Sequence, residues 1–427
     1  MCTTEETKIP LNVLHVVAGE LSGGAARGAF WLHQGLREIG VDSNLLISGR
    51  NTLGADGVVS YSQGNLGKLA RIVTAKLDAL PNLFFKNKNI FSSGLIGFDF
   101  TKTKEYKRAD VVNLHWINGG FVDIKLLKKI DKPIVWTMRD MWPMTGGCHY
   151  SLDCVNYQTG CGHCPQLDRR GKYDLSRYVL QRKKRYIPDD ITLVGISTWL
   201  SDCAGKSELF ENRKILTISN NINTGEFFPL DKGMARNVLG IETNKKIVLV
   251  GSTSLKDFYK GFSKFLDATT SLDTSDFLLC FFGNVDADIV EKLGFEYKIF
   301  GRLGDEISMR LVYSCADVFV APSIQEAFGK TIAESMACGT PVVCFDATGP
   351  QDIVDHKVNG YMAISFDPKD LANGIRWVVY DSDYSELANS AVNKANSAFN
   401  ASTIAKQYLE LYMDLTKLIF NKSADGT

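Results

Sequence analysis

No run of apolar residues in this 427-residue chain approaches the ~20 that a membrane-spanning helix requires, although hydrophobic residues make up 45% of it. Glu5 and Glu6 precede a short apolar run, Leu11–Val17, where a secretory leader would place basic residues and a longer apolar stretch. A cytoplasmic location is the expectation, with the ten cysteines mostly reduced thiols or metal ligands. Net charge is missing too, since 48 Lys and Arg balance 48 Asp and Glu. Two nucleotide-binding fingerprints are absent. The glycines of Gly19-Glu20-Leu21-Ser22-Gly23-Gly24 do not fit Gly-x-Gly-x-x-Gly. Gly329-Lys330-Thr331 ends like a P-loop, but that motif needs a glycine where Ile324 stands.

What is present is an alternation of short buried-strand patterns with helical ones, long enough for two domains. Leu11–Val17, the glycine loop, a helix over about 25–39 and a strand over 41–47 make a βαβ opening. Strands are expected near 111–116, 133–137 and 191–196. A turn-rich stretch, Ile218–Leu230, separates these from a second run at 246–251, 277–283, 297–300, 317–321 and 341–345. The neutral total conceals a polarity. Residues 1–228 hold 29 Lys and Arg against 22 Asp and Glu, and residues 229–427 hold 19 against 26, so the halves carry +7 and −7. A basic first half suits an anionic membrane surface, with a nucleic-acid patch as the competing reading. No nucleic-acid-binding module accompanies it, so no nucleic acid is expected as partner. Leu66–Phe91 interleaves Lys68, Arg71, Lys76, Lys86 and Lys88 with apolar residues, and Arg169–Tyr186 carries eight basic residues. A solvated helix face explains either segment as well.

The richest phrase is Pro322-Ser323-Ile324-Gln325-Glu326-Ala327-Phe328-Gly329-Lys330-Thr331, continuing through Glu334 to Cys338-Gly339-Thr340-Pro341-Val342-Val343. It reads as strand, loop, helix, strand. Glu326 falls on the loop at a strand's carboxyl end, where open α/β sheets bind ligands. Phe328, Gly329, Lys330 and Thr331 set free N–H groups and the positive end of a helix dipole beside it, which suits a phosphate. An ordinary surface βα unit with two solvated glutamates is the plainer reading.

The phrase resembles the donor-site signature of family 4 retaining glycosyltransferases, and Thr145-Gly146-Gly147-Cys148-His149-Tyr150 with Gly160-Cys161-Gly162-His163-Cys164-Pro165-Gln166-Leu167 resembles a bacterial surface-polysaccharide (colanic-acid-type) subgroup of them. That resemblance implies a GT-B architecture, two doubly wound Rossmann-like domains facing across a cleft. The domains would be 1–228, with a returning C-terminal helix 403–427, and 229–402. It implies a nucleotide-sugar donor bound by the second domain and a lipid-linked saccharide acceptor. No catalytic metal is implied. Glu326 would accept from donor-sugar hydroxyls and Glu334 from ribose hydroxyls, while Lys260 of Lys260-Gly261 would hold the diphosphate. Gly23 and Gly24 resemble the family's Gly-Gly-Ala opening near diphosphate and acceptor. The family's usual arginine after the first strand of this domain is replaced by Ser252 and Thr253, leaving Lys256 or Arg302 as substitutes. In Thr137-Met138-Arg139-Asp140, Arg139 stands where relatives often carry His. It is unfit as a base but able to hold a carboxylate or phosphate, with Asp140 as its candidate ion-pair partner. His115 is either cleft-lining or buried. An epimerase or phosphorylase on the same fold, or a non-catalytic nucleotide-sugar-binding subunit, are the rivals.

Cys148, Cys154, Cys161 and Cys164, spaced Cys-x5-Cys-x6-Cys-x2-Cys, place four thiols within seventeen residues. A structural zinc closing a loop is expected, with free thiols or a disulfide as alternatives. His149 and His163 are then ordinary loop histidines.

Overall fold

The computed structural model describes residues 9–21, 23–61, 64–81, 90–168 and 171–424. Lys86, Lys88 and Arg169 lie outside them. The chain forms two compact units, Met1–Ser219 with Ala401–Thr427, and Asn220–Asn400.

The first unit is a seven-stranded sheet of β1 (Ile9–Val17), β2 (Val41–Ile47), β3 (Val58–Ser60), β4 (Val111–Leu114), β5 (Ile134–Met138), β6 (Thr192–Gly195) and β7 (Lys214–Thr217). Its order is β3-β2-β1-β4-β5-β6-β7, parallel throughout. The second is a six-stranded sheet of β8 (Lys246–Ser254), β9 (Phe277–Asn284), β10 (Glu296–Ile299), β11 (Val318–Ala321), β12 (Val342–Phe345) and β13 (Gly360–Ala363). Its order is β10-β9-β8-β11-β12-β13, again all parallel. Central strands such as Val318–Ala321 and Val342–Phe345 are buried along their whole length. Helices cover both faces of such sheets, which is why these strands read as unbroken apolar runs rather than alternations. Valines and phenylalanines of β8, β9, β11 and β12, among them Val250, Phe281, Val320 and Phe345, join Phe265 and Ile375 in one core.

Strand order decides where ligands can sit. The chain runs outward from β1 to β3, then returns to place β4 on the other side of β1; β8 and β11 repeat the reversal. At such a reversal the loops leaving the two central strands diverge and open a crevice at their carboxyl ends.

Two helices of the first unit matter below: α1 (Gly24–Glu38) and α2 (Gly64–Ala79). Helix α1 packs on the C-terminal helix Ala401–Ala424. Gly35 permits the approach, because a Cβ there would stand 2.8 Å from the Ala401 carbonyl oxygen. His33 of α1 is fully buried. Its Nε2 faces the Asp56 carbonyl at 3.0 Å, so that nitrogen carries the proton, and Nδ1 accepts from the Ser43 hydroxyl at 2.9 Å. Burial pulls its pKa down to about 4, opposed by the Asp56 carbonyl and aided by Arg37. The folded state therefore favours the neutral ring. Its contribution is complete above the unfolded pKa of about 6.5 and is lost as pH falls towards 4. Between pH 7.5 and 5 this group should cost the folded state about 2 kcal/mol. Calorimetry of wild type and His33→Asn checks it; the variant should lose less stability on acidification. An unchanged pH slope would remove His33 from the account.

Candidate functional site

In the second unit the two loops that leave the switch-point strands are fastened together. After β8 the chain makes a single turn over Phe258–Lys260, and Gly261 follows in the left-handed region (φ 65°). A Cβ on Gly261 would sit 1.8 Å from the Pro322 carbonyl oxygen, so only glycine allows this approach. The Ile324 and Gln325 N–H groups donate to the Tyr259 carbonyl at 2.8 and 3.3 Å. This clasp delivers Lys260 Nζ to Glu326 Oε2 at 2.5 Å, with both side chains 19% exposed. Ser323 Oγ donates to the same carboxylate oxygen at 3.4 Å. Behind it, the Glu326 N–H donates to Thr348 Oγ1 and its carbonyl accepts from the Gly349 N–H. A Cβ on Gly349 would lie 2.6 Å from the Phe328 backbone.

Gly329 (φ 110°) turns the chain into helix Lys330–Ala337, which has no side-chain cap. Phe328 is buried edge-on against Phe399 and anchors that turn, while the half-buried Lys330 and Thr331 open the helix. Glu334 is buried one turn further on. Its Oε2 accepts from the Tyr313 hydroxyl at 3.0 Å, and its Oε1 lies 3.9 Å from Lys330 Nζ. Arg302 is exposed in the loop after β10. Lys256, also exposed, faces Asp286 at 4.0 Å.

In the first unit the switch-point loops carry Gly23 and Gly24 after β1 and His115 after β4. Gly23 is the uncapped N-cap of α1, and both glycines are exposed. His115 is buried, and its Nδ1 accepts from Arg139 Nε and Nη2 at 3.3 and 3.2 Å. Its proton must then lie on Nε2, which donates to His15 Nδ1 at 2.9 Å. His15 Nε2, left with the next proton, has no hydrogen-bond partner among the described residues. Burial, then the neighbouring cations and rings, holds both histidines well below the usual range, Arg139 being the second cause for His115. Arg139 itself is pulled down to about 10 by burial, opposed by Tyr408 and Tyr412, and remains charged at neutral pH. Those tyrosines reach in from the C-terminal helix. Tyr412 OH accepts from Asn113 Nδ2, and Tyr408 OH meets Thr137 Oγ1 at 3.0 Å.

The expected pairing of Arg139 with Asp140 is not what forms. Adjacent residues at a strand end point to opposite faces. Asp140 Oδ2 instead takes the Trp116 indole N–H at 2.8 Å and His149 Nδ1 at 2.6 Å, while Oδ1 caps the Trp142 N–H. His149 Nε2 meets Ser92 Oγ at 2.9 Å. Ser92, His149 and Asp140 thus stand in the order of a hydrolytic triad, yet Ser92 is buried and Trp116 shares the carboxylate. The set acts as a brace. His149 is therefore no ordinary loop histidine.

The four cysteines line one small cavity of about 10 Å³ together with Phe91 and Gly146, the size of a single small occupant. All nine described cysteines are free, so no disulfide closes this loop. Burial raises the Cys148 and Cys164 thiols and pushes Cys161 up to about 12. Among the described residues no three His, Cys, Asp or Glu side chains are arranged to hold a metal ion. The loop is nonetheless bent hard, with Leu152, Cys161, His163 and Asp168 all left-handed. Beside it Lys183 is buried, its ammonium donating to the Trp142 and Thr145 carbonyls and lying 3.6 Å from the Trp142 ring centroid. Burial pulls it down to about 7, opposed chiefly by Cys148 and Cys161. Nothing in its immediate sequence, a run of four basic residues, sets Lys183 apart from the exposed Lys184 and Arg185.

Residues 231–397 match the family described as Glycosyl transferases group 1. An uncharacterized glycosyltransferase of Methanocaldococcus jannaschii is 30% identical over 212 residues, 47% of this chain and 54% of that protein. The N,N'-diacetylbacillosaminyl-diphospho-undecaprenol alpha-1,3-N-acetylgalactosaminyltransferase of Campylobacter jejuni is 30% identical over 216 residues, 48% and 55%. A putative colanic acid biosynthesis glycosyl transferase of Escherichia coli is 26% identical over 198 residues, 43% and 47%. The chain thus spans about half the length of the curated relatives it matches. Sucrose-phosphate synthase from Thermosynechococcus elongatus superposes with a TM-score of 0.69 at 19% identity, over 95% of this chain and 100% of that one. Anabaena HepE in complex with UDP and glucose gives 0.61 at 20% identity, over 94% and 99%. The chain carries the two-domain α/β GT-B fold, and most of its second unit matches the group 1 glycosyl transferases.

Proposed function

We propose that this protein is a retaining glycosyltransferase that moves a hexose from a nucleotide-sugar to a lipid-linked saccharide during surface-polysaccharide assembly. The observation that carries the reading is the Lys260–Glu326 pair, clasped at the switch point of the second unit beside an uncapped helix start. A diphosphate entering there replaces Glu326 as the anion facing Lys260 and meets the positive end of the helix that starts at Lys330 and Thr331. The negative charge that grows on the leaving group is then met by fixed donors, and the reading calls for no catalytic metal. Glu326, released from the ammonium, accepts from the donor-sugar hydroxyls. Glu334, fixed by Tyr313, accepts from the ribose. In the first unit Arg139 is a permanent cation that the buried His115 orients, suited to an acceptor phosphate or carboxylate rather than to proton transfer. The diphospho-undecaprenol-linked sugar in the Campylobacter relative's name and the UDP-glucose bound in HepE support this choice of acceptor and donor classes.

Glu326→Ala and Lys260→Ala should each lower transfer at least ~100-fold, about 2.7 kcal/mol of transition-state stabilisation. Glu334→Ala should act mainly on donor affinity. Steady-state kinetics with a matched donor and acceptor decide it; transfer within about threefold of wild type in Glu326→Ala would reject the assignment.

The same reading includes one structural zinc held by Cys148, Cys154, Cys161 and Cys164, although these side chains as they stand are not arranged to hold a metal ion. Binding would require the thiols to lose their protons and close inward onto the ion. Two observations support it: the left-handed turns that the loop sustains without a disulfide, and the buried Lys183, whose charge a tetrathiolate zinc would offset. Elemental analysis of protein purified without added metal should give about one zinc per chain. Cys161→Ser should lose the metal and lower the melting temperature together. Metal-free protein as stable as the wild-type preparation would discard the site.

A further inference from the structure

Helix α2 faces the wrong way for a helix of a globular core. Leu69, Ile72, Val73 and Leu77 recur at i, i+3, i+4 and i+8, with Leu80 continuing the row just past its end. That spacing normally marks the side turned inward. Here all five are exposed, between 38% and 58% of their surface. The side that docks is small and polar instead. Gly120 comes against the Thr74–Ala75 backbone so closely that a Cβ would meet the Thr74 carbonyl at 2.5 Å. Asp78, the single acidic residue of α2, is buried and accepts from Ser93 Oγ at 2.7 Å and the Leu95 N–H at 3.1 Å. The outward face therefore holds apolar side chains with the exposed Lys68 and Lys76 among them and no carboxylate.

We infer that α2 is an interfacial anchor that lies in the surface of a bilayer containing anionic lipid. A helix with one apolar side and basic residues beside it settles into the boundary between headgroups and acyl chains. Long lysine stems let the ammonium groups rise to the phosphates while their methylenes stay with the apolar row. A second copy of this chain fits the face less well. Two-fold pairing would set Lys68 and Lys76 of one copy against the same basic residues of the other, with no acid on the face to meet them. The inference rests on the lipid-linked acceptor reading for its purpose and on α2 alone for its geometry.

The test is co-sedimentation of the full chain with vesicles of phosphatidylcholine alone and of phosphatidylcholine with phosphatidylglycerol. Binding is expected to the mixed vesicles, weakening as salt is raised. The exposed-position variant Leu69→Ser, Ile72→Ser, Leu77→Ser should reduce it at least about tenfold, with an unchanged melting temperature. Lys68→Glu with Lys76→Glu should reduce it by a similar factor, since each basic residue at such a surface adds roughly fivefold in affinity. Full binding by the serine variant, equal binding to both vesicle types or binding to neither would overturn the inference. So would a dimer, seen by sedimentation velocity, that the serine variant dissolves in protein that ignores vesicles. Transfer to a detergent-solubilised acceptor separates the two readings: its loss in a vesicle-binding protein rejects the activity and leaves the anchor standing.

Discussion

The approach of Gly261 to the Pro322 carbonyl is the contact on which the second unit's chemistry depends. Parallel strands side by side leave their following loops free to diverge, and the crevice at a strand-order reversal is ordinarily only an opening. Here the missing Cβ lets the β8 loop sit directly on the β11 loop, and two N–H groups donating to the Tyr259 carbonyl hold it there. Lys260 reaches Glu326 because it is the residue just before that glycine. Any side chain at position 261 would need both a left-handed backbone and space that the Pro322 oxygen occupies. The lysine–glutamate pair is a consequence of this backbone fit.

The first unit reaches a comparable result by a different route. Its switch-point residue, His115, belongs to a buried polar chain that runs from Arg139 through two stacked imidazoles to His15. Arg139 can donate only, so each ring's tautomer is set in turn, and burial keeps both rings neutral. The C-terminal helix completes the surround, since Tyr408 and Tyr412 supply hydroxyls to Thr137 and Asn113. A segment nearly three hundred residues away in sequence thus helps shape the carboxyl ends of β4 and β5.

The cysteine loop is tied to the same strand end. Cys148 pairs with Phe91 in an antiparallel bridge, and the next residue, His149, reaches Asp140. Whatever fixes the loop therefore also fixes the Trp116–Asp140–His149–Ser92 brace. The buried Lys183 supports it from the other side through the Trp142 and Thr145 carbonyls.

Sequence alone was enough for the architecture. Unbroken valine and phenylalanine runs mean strands covered on both faces, and the glycine and proline punctuation between them leaves little choice but parallel α/β units. The position of Glu326 and the start of its helix were legible because Phe328-Gly329 and Gly339-Thr340-Pro341 bound that helix locally. Tertiary structure alone decided which groups meet. Asp140 turned to Trp116 and His149 because successive residues leave a strand on opposite faces, and no local rule says which partner the other face offers. The fully buried histidines 15 and 33 read as unremarkable in sequence, since their partners come from other strands and loops. The apolar row of α2 carries the periodicity of a core helix. Only the packing of Gly120 and Asp78 against its other side reveals that the row faces outward, because periodicity gives a helix two sides and leaves it to the rest of the chain to choose between them.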